Sequence, residues 1–207
     1  MIENMDISTT TISSKDSELE WDPLQAQFSY YCAPISNTRP RWTVTLAHVF
    51  NYITSVKALE ITRAFRDIKA PDERKRRKPE MFDNVTFSGL FSNRNDQALL
   101  QHSEMLCIDI DHLHDEADVF RVKDLLKSDP AFVTLMMFTS PSGLGVKWVI
   151  HIEPTATFGH REWFGAVKNY LWQTYGLVAD PQCINVARAC FLPFDSNAYV
   201  LQEVCPF

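Results

Sequence analysis

The chain has 207 residues, 45% of them apolar, with 14 Phe and 5 Trp. That is enough for one well-filled core with a tail, or at most two small domains, and no apolar run is long enough for a membrane-spanning helix. The net charge of −6 weighs at first against a nucleic-acid partner, but it is unevenly spread. Residues 1–22 hold six acids (Glu3, Asp6, Asp16, Glu18, Glu20, Asp22) and one base, Lys15, a balance of −5. The remainder therefore carries about −1, and charge alone does not exclude a polyanion. The five cysteines, at 32, 107, 183, 190 and 205, form no CxxC. Neither a disulfide framework nor a zinc ribbon is signalled, and a reducing, cytoplasmic setting is expected. The N-terminus lacks the basic start and apolar segment of a secretory signal and does not read as a transit peptide.

In chain order, residues 1–22 are polar, Ser/Thr-rich and acidic, and are predicted to be a disordered tail. The folded domain is expected over 23–207. Gln27 to Ala33 reads as a first strand. Thr43 is placed to cap a helix running to about Thr54, with Leu46, Val49 and Phe50 on one face. A second helix is predicted over Val56 to Ile68, ended by Pro71. A basic loop then follows, carrying Arg74, Lys75, Arg76, Arg77 and Lys78. Asn84 to Phe91 reads as a short strand entering a glycine turn. Glu104 to Asp111 alternates as a strand. Asp115 to Asp129 is an amphipathic helix with acids early and lysines late, as the helix dipole favours. Ala131 to Ser140 is a buried strand, and Val146 to Glu153 returns antiparallel after a Pro-Ser-Gly-Leu-Gly turn. Gly159 to Gly176 is a long helix stopped by Gly176. Ala189 to Asp195 is the expected last core strand. Strands and helices mixed around a hairpin give an α+β fold with a mainly antiparallel sheet and flanking helices.

Three constellations carry chemistry. In the strand "EMLCIDID", Cys107, Asp109 and Asp111 share one face, while Leu106, Ile108 and Ile110 share the other. Two carboxylates so close resist joint ionisation unless a cation lies between them, and Mg²⁺ or Mn²⁺ prefers such ligands. The plainer reading is a pair of exposed acids at a strand end. In "TSPSGLGVKW", Ser140, Ser142, Gly143 and Gly145 form a turn whose backbone could cradle phosphate, with Lys147 adding a cation. The alternative is a hairpin turn that needs glycine for its φ values. Because a strand follows, this is not a Walker loop. Downstream, Asp180 could supply a third carboxylate and Arg188 could meet phosphate bidentately. Taken singly, the commoner fate of such residues is a turn start before Pro181 for Asp180 and a structural ion pair for Arg188. The basic run Arg74 to Lys78 reads either as a solvated loop or as a contact for nucleic-acid phosphates.

The order DxD, SxSGxGxK, then D…R…F…D…Y resembles the archaeo-eukaryotic primase superfamily. It is most similar to the small primase-polymerase-like domains known as the virulence protein E N-terminal domain, found in bacterial mobile elements. "TFSGLF", Thr86 to Phe91, also resembles that group, and the likeness spans roughly residues 40–200. The resemblance implies a primase-polymerase architecture with an RRM-like core and a metal-dependent nucleotidyltransferase acting in the DNA replication of a mobile element or phage. Asp109, Asp111 and Asp180 would be the catalytic, metal-holding carboxylates. The Ser140 to Lys147 turn and Arg188 would hold the nucleoside triphosphate, and Arg74 to Lys78 would follow a single-stranded DNA template. A separate helicase is an expected partner. Lys147 stands where the superfamily often carries histidine.

Two other readings remain open at this level. A degenerate domain could bind nucleic acid or a replication partner without chemistry. Alternatively, His112-Leu113-His114 matches the His-hydrophobic-His pattern of rolling-circle nucleases, with Tyr170 or Tyr175 as nucleophile. His151 is expected to be a hydrogen-bonded structural histidine, and Trp148, Phe191 and Phe194 are expected in the core.

Overall fold

A computed structural model describes residues 21–202, and most of the acidic tail expected over 1–22 lies outside that range. Trp21 is part of the fold: its ring stacks on His151 with centroids 4.3 Å apart, and its indole N–H donates to the Ser103 carbonyl.

The described residues form an α+β fold of five helices and antiparallel sheets. The first sheet has the order β2-β1-β3-β9, from Trp42–Val44, Phe28–Tyr31, Asn84–Thr86 and Cys190–Phe191. The second has the order β10-β7-β8-β6, from Tyr199–Val200, Thr134–Thr139, Val146–His151 and Met105–Ile110. A separate hairpin pairs β4 (Gly89–Phe91) with β5 (Leu99–His102).

Alternation decides how these sheets stack. Leu106, Ile108 and Ile110 of β6 join Trp148 and Ile150 of β8 in one core cluster. That cluster is closed by Val119, Val122 and Leu126 of α4 (Glu116–Lys127) and by Phe164, Val167 and Leu171 of α5 (His160–Tyr175). The opposite face of the same sheet, with Met105, Met136, Phe138 and Val149, packs on Phe28, Tyr30 and Val85 of the first sheet and on α1 (Leu46–Ile53). Trp148 is core, as expected, its indole N–H bonded to the Thr134 hydroxyl. Asp109 therefore projects into the seam between two sheets, where β6 and β9, each an edge strand, come together.

Several boundaries depart from the sequence expectations. Thr43 lies in β2, and it is Thr45 that begins α1, in a capping box with His48. Pro71 does not end a helix. After α2 (Val56–Arg66), it opens α3 (Pro71–Met81), so the basic run is helical rather than a loop. The physical reason lies in the first turn: proline is pre-set for the first helical position, Asp72 and Glu73 complement the dipole, and Arg and Lys are good helix formers. "NVTFSGLF" makes two strands, and the final core strand shrinks to β9, which joins the first sheet. α5 ends as expected at Gly176, whose φ of 67° is the left-handed conformation glycine accepts without strain.

Candidate functional site

Antiparallel register brings the first two candidate residues together. Asp109 of β6 lies directly opposite Lys147 of β8, so both side chains point to the same face. They form a buried ion pair, each residue only 5% exposed, through Asp109 Oδ2 and Lys147 Nζ. Burial pushes the lysine's pKa below its usual value. The second carboxylate oxygen, Asp109 Oδ1, is also buried and has no hydrogen-bond partner.

Asp180 arrives by backbone pairing. β6 has no strand on its outer side, and Asp180 N–H, in the segment after α5, donates to the Asp109 carbonyl at 2.8 Å. One ligand atom from each of Asp109, Asp111 and Asp180 lies within 4.8 Å of the other two. The donor set is all oxygen, suited to a hard divalent cation, and the orphaned Asp109 Oδ1 offers a lone pair for which the protein supplies no donor. The residues present therefore fit Mg²⁺ or Mn²⁺.

The glycine turn is built against this cluster. A Cβ on Gly145 would lie 2.6 Å from Asp111 Oδ1, 2.8 Å from the Ile110 carbonyl oxygen and 2.9 Å from Ser140 Oγ. Gly143 has φ +87°, so it serves the hairpin itself, as the plainer reading of the turn requires. The Ser140 and Ser142 hydroxyls are 3.0 Å apart and bond to each other, and Ser140 N–H closes the turn on the Gly145 carbonyl. Arg66 of α2 clasps the turn from outside, donating to the Ser140 and Pro141 carbonyls. Nothing in the sequence pattern singled out Arg66, because its partners are backbone oxygens some 75 positions away in the chain.

Arg188 is engaged within its own loop. It donates to Asp180 Oδ2 at 3.0 Å and to the Gln182 side-chain oxygen. A small cleft of about 20 Å³ lies beside the ion pair, with walls that include Ser88, Asp109, Lys147, Arg188 and the thiols of Cys107 and Cys190. That volume accommodates about one water. Phe87 and Ser88 of "TFSGLF" reach the cleft, so that motif lies at the site. The cysteines lack ligand spacing in the sequence; the approach of two edge strands not paired to each other, β6 and β9, brings Cys107 and Cys190 together.

The basic run divides by function. Arg74 donates to the Arg66 and Ile68 carbonyls and so caps α2, while Arg77 pairs with Glu80 at 2.6 Å. Lys78 sits 5.5 Å from the centroid of the Phe191 ring, on the strand bordering the cleft. Lys75 and Arg76 are exposed. Asp195, the second acid of the downstream pattern, is structural: it pairs with Lys123 and accepts the Thr139 N–H.

The His-hydrophobic-His arrangement is not assembled with a tyrosine. Tyr170 and Tyr175 both donate to Asp129 Oδ2, just beyond the C-terminal end of α4. His112 and His114 are exposed at its N-terminal end, and the 12 residues of the helix separate the two groups by about 18 Å.

Residues 76–200, more than half of the chain and including every candidate residue except Arg74 and Lys75, match the family described as BT4734-like, N-terminal domain. The chain belongs to this family. No curated protein and no solved structure matches it. The family description names no activity, so likeness to the primase superfamily rests on the motifs alone.

Proposed function

We propose that this member of the BT4734-like family is a metal-dependent nucleotidyltransferase of primase-polymerase type. The observation that carries the reading is the convergence of Asp109, Asp111 and Asp180 beside Lys147. A carboxylate trio at the meeting point of a strand end, a glycine turn and an arginine-bearing loop has the parts needed for phosphoryl chemistry. Mg²⁺ or Mn²⁺ held there would supply Lewis-acid stabilisation of phosphoryl charge and lower the pKa of an attacking hydroxyl. Asp109 Oδ1, Asp111 and Asp180 would hold the cation. Lys147 pairs with Asp109 in this structure and would offer its charge to a phosphate once a cation takes over that carboxylate. Arg188 would exchange Asp180 for a phosphate oxygen, and Lys75 and Arg76 would contact template phosphates.

Primer synthesis or extension on single-stranded DNA with Mn²⁺ or Mg²⁺ tests this. Wild type is expected to turn over, while Asp111→Asn and Asp180→Asn, which leave the buried ion pair in place, are expected to be inactive. Equal activity in all three would remove the metal assignment.

One observation favours a second reading, a binding module without chemistry. Both cationic side chains of the site are already paired, Lys147 with Asp109 and Arg188 with Asp180. Stoichiometric binding of single-stranded DNA with no turnover under any divalent cation would select that reading.

A further inference from the structure

The site contains a feature that nucleotidyl transfer does not use. Cys107 of β6 and Cys190 of β9 belong to different sheets, 83 positions apart in the chain, yet their sulfurs lie 3.8 Å apart. Both are free thiols, and both line the cleft that holds Asp109 and Lys147. Cys107 donates to Cys190, and the Lys147 ammonium stands beside them, an environment that favours thiolate at Cys190. Cys183 lines the same cleft, but burial pushes its thiol up to about 12, away from reactivity.

We propose that Cys107 and Cys190 are a peroxide-oxidisable pair whose disulfide locks the two sheets together across the candidate site. In the first step the Cys190 sulfur attacks one oxygen of hydrogen peroxide. The O–O bond breaks, Cys190 becomes a sulfenic acid, and the departing hydroxide takes a proton and leaves as water. In the second step Cys107 attacks the sulfenyl sulfur. The S–S bond forms, the S–O bond breaks, and the hydroxyl leaves as a second water with the Cys107 proton. Two thiols lose two electrons in all, and one peroxide becomes two waters. The small cleft favours a small oxidant over a bulky disulfide. The bond requires the sulfurs to close from 3.8 Å to about 2.05 Å, drawing β6 toward β9 at the residue two positions before Asp109. The covalent step stands by itself, whereas its effect on cation binding rests on the reading of Asp109, Asp111 and Asp180 as a metal site.

The experiment treats the reduced full chain with hydrogen peroxide, blocks remaining thiols by alkylation, and maps disulfides by mass spectrometry. The expected product is about 2 Da lighter for the two hydrogens lost, bridged between the Cys107 and Cys190 peptides, restored by dithiothreitol and absent in Cys190→Ser. Mn²⁺ affinity is expected to fall about 10–100-fold on bridging, as it does when the surroundings of metal ligands are disturbed. Free thiols after treatment, sulfinic acids without a bridge, or a bridge through Cys32, Cys183 or Cys205 instead would overturn the pair. Unchanged Mn²⁺ affinity in the fully bridged protein would overturn the lock. Absence of Mn²⁺ binding in the reduced protein would overturn both the metal reading and the lock, while the mass map still decides the bond.

Discussion

The buried pair of Asp109 and Lys147 makes a quantitative test of how the site is held. Replacing Lys147 by methionine keeps most of the side-chain volume but leaves a carboxylate that is 5% exposed with neither oxygen bonded, because Oδ1 already lacks a partner. Stranding one charge of a buried pair costs about 3–5 kcal/mol. For a chain of this size each kcal/mol lowers Tm by about 2–4 °C, so a fall of roughly 6–20 °C is expected. The double variant Asp109→Leu/Lys147→Met removes both charges and is expected to lie within about 1 kcal/mol of wild type, since apolar replacement of a buried pair is often neutral or stabilising. A coupling of about 3 kcal/mol or more between the two sites follows. Urea unfolding followed by circular dichroism measures each corner of the cycle. Mn²⁺ should restore part of the loss in Lys147→Met and none in the double variant, because the cation replaces the ammonium only where the carboxylate survives. Additive single effects, or a Lys147→Met cost below about 1 kcal/mol, would refute the reasoning.

Three further outcomes are expected. Gly145→Ala places a methyl against Asp111 and the Ile110 carbonyl; overpacking of this kind costs about 1–3 kcal/mol, so thermal unfolding should shift down and Mn²⁺ binding weaken together. Lys75→Ala/Arg76→Ala should leave Tm unchanged and reduce the salt dependence of single-stranded DNA binding by a slope of about 0.7 per charge removed, whereas Arg74→Ala should lower Tm through the lost cap on α2. His102 and His160 lie 3.2 Å apart, and burial holds both pKa values down to about 4. The unfolded chain therefore binds more protons than the folded one between pH 4 and about 6.5. Stability should be full above about pH 6.5 and fall by on the order of 3 kcal/mol toward pH 4, allowing for partial exposure. Chemical denaturation across that range should show the slope flattened in His102→Gln/His160→Gln.

Local pattern was enough to identify most of this protein's elements. Period-two alternation in "EMLCIDID" and "VKWVIHIE" marked strands with one apolar face, and the same alternation put Asp109 and Asp111 on the other face. The acids and lysines of Glu116 to Lys127, and Gly176 after Tyr175, marked helices and a stop, because caps and dipoles act within a turn of the chain. The basic run reads as a loop in the sequence but folds as a helix, since Pro71 serves equally as a breaker and as a first helical residue, and only the turn after it decides which. What the sequence could not contain is distance between elements. Strand register set Lys147 opposite Asp109, the unpaired edge of β6 drew in Asp180, and two sheets meeting at their edge strands brought Cys107 to Cys190. Those placements depend on burying two apolar faces at once, a condition that the whole fold satisfies and no single segment encodes.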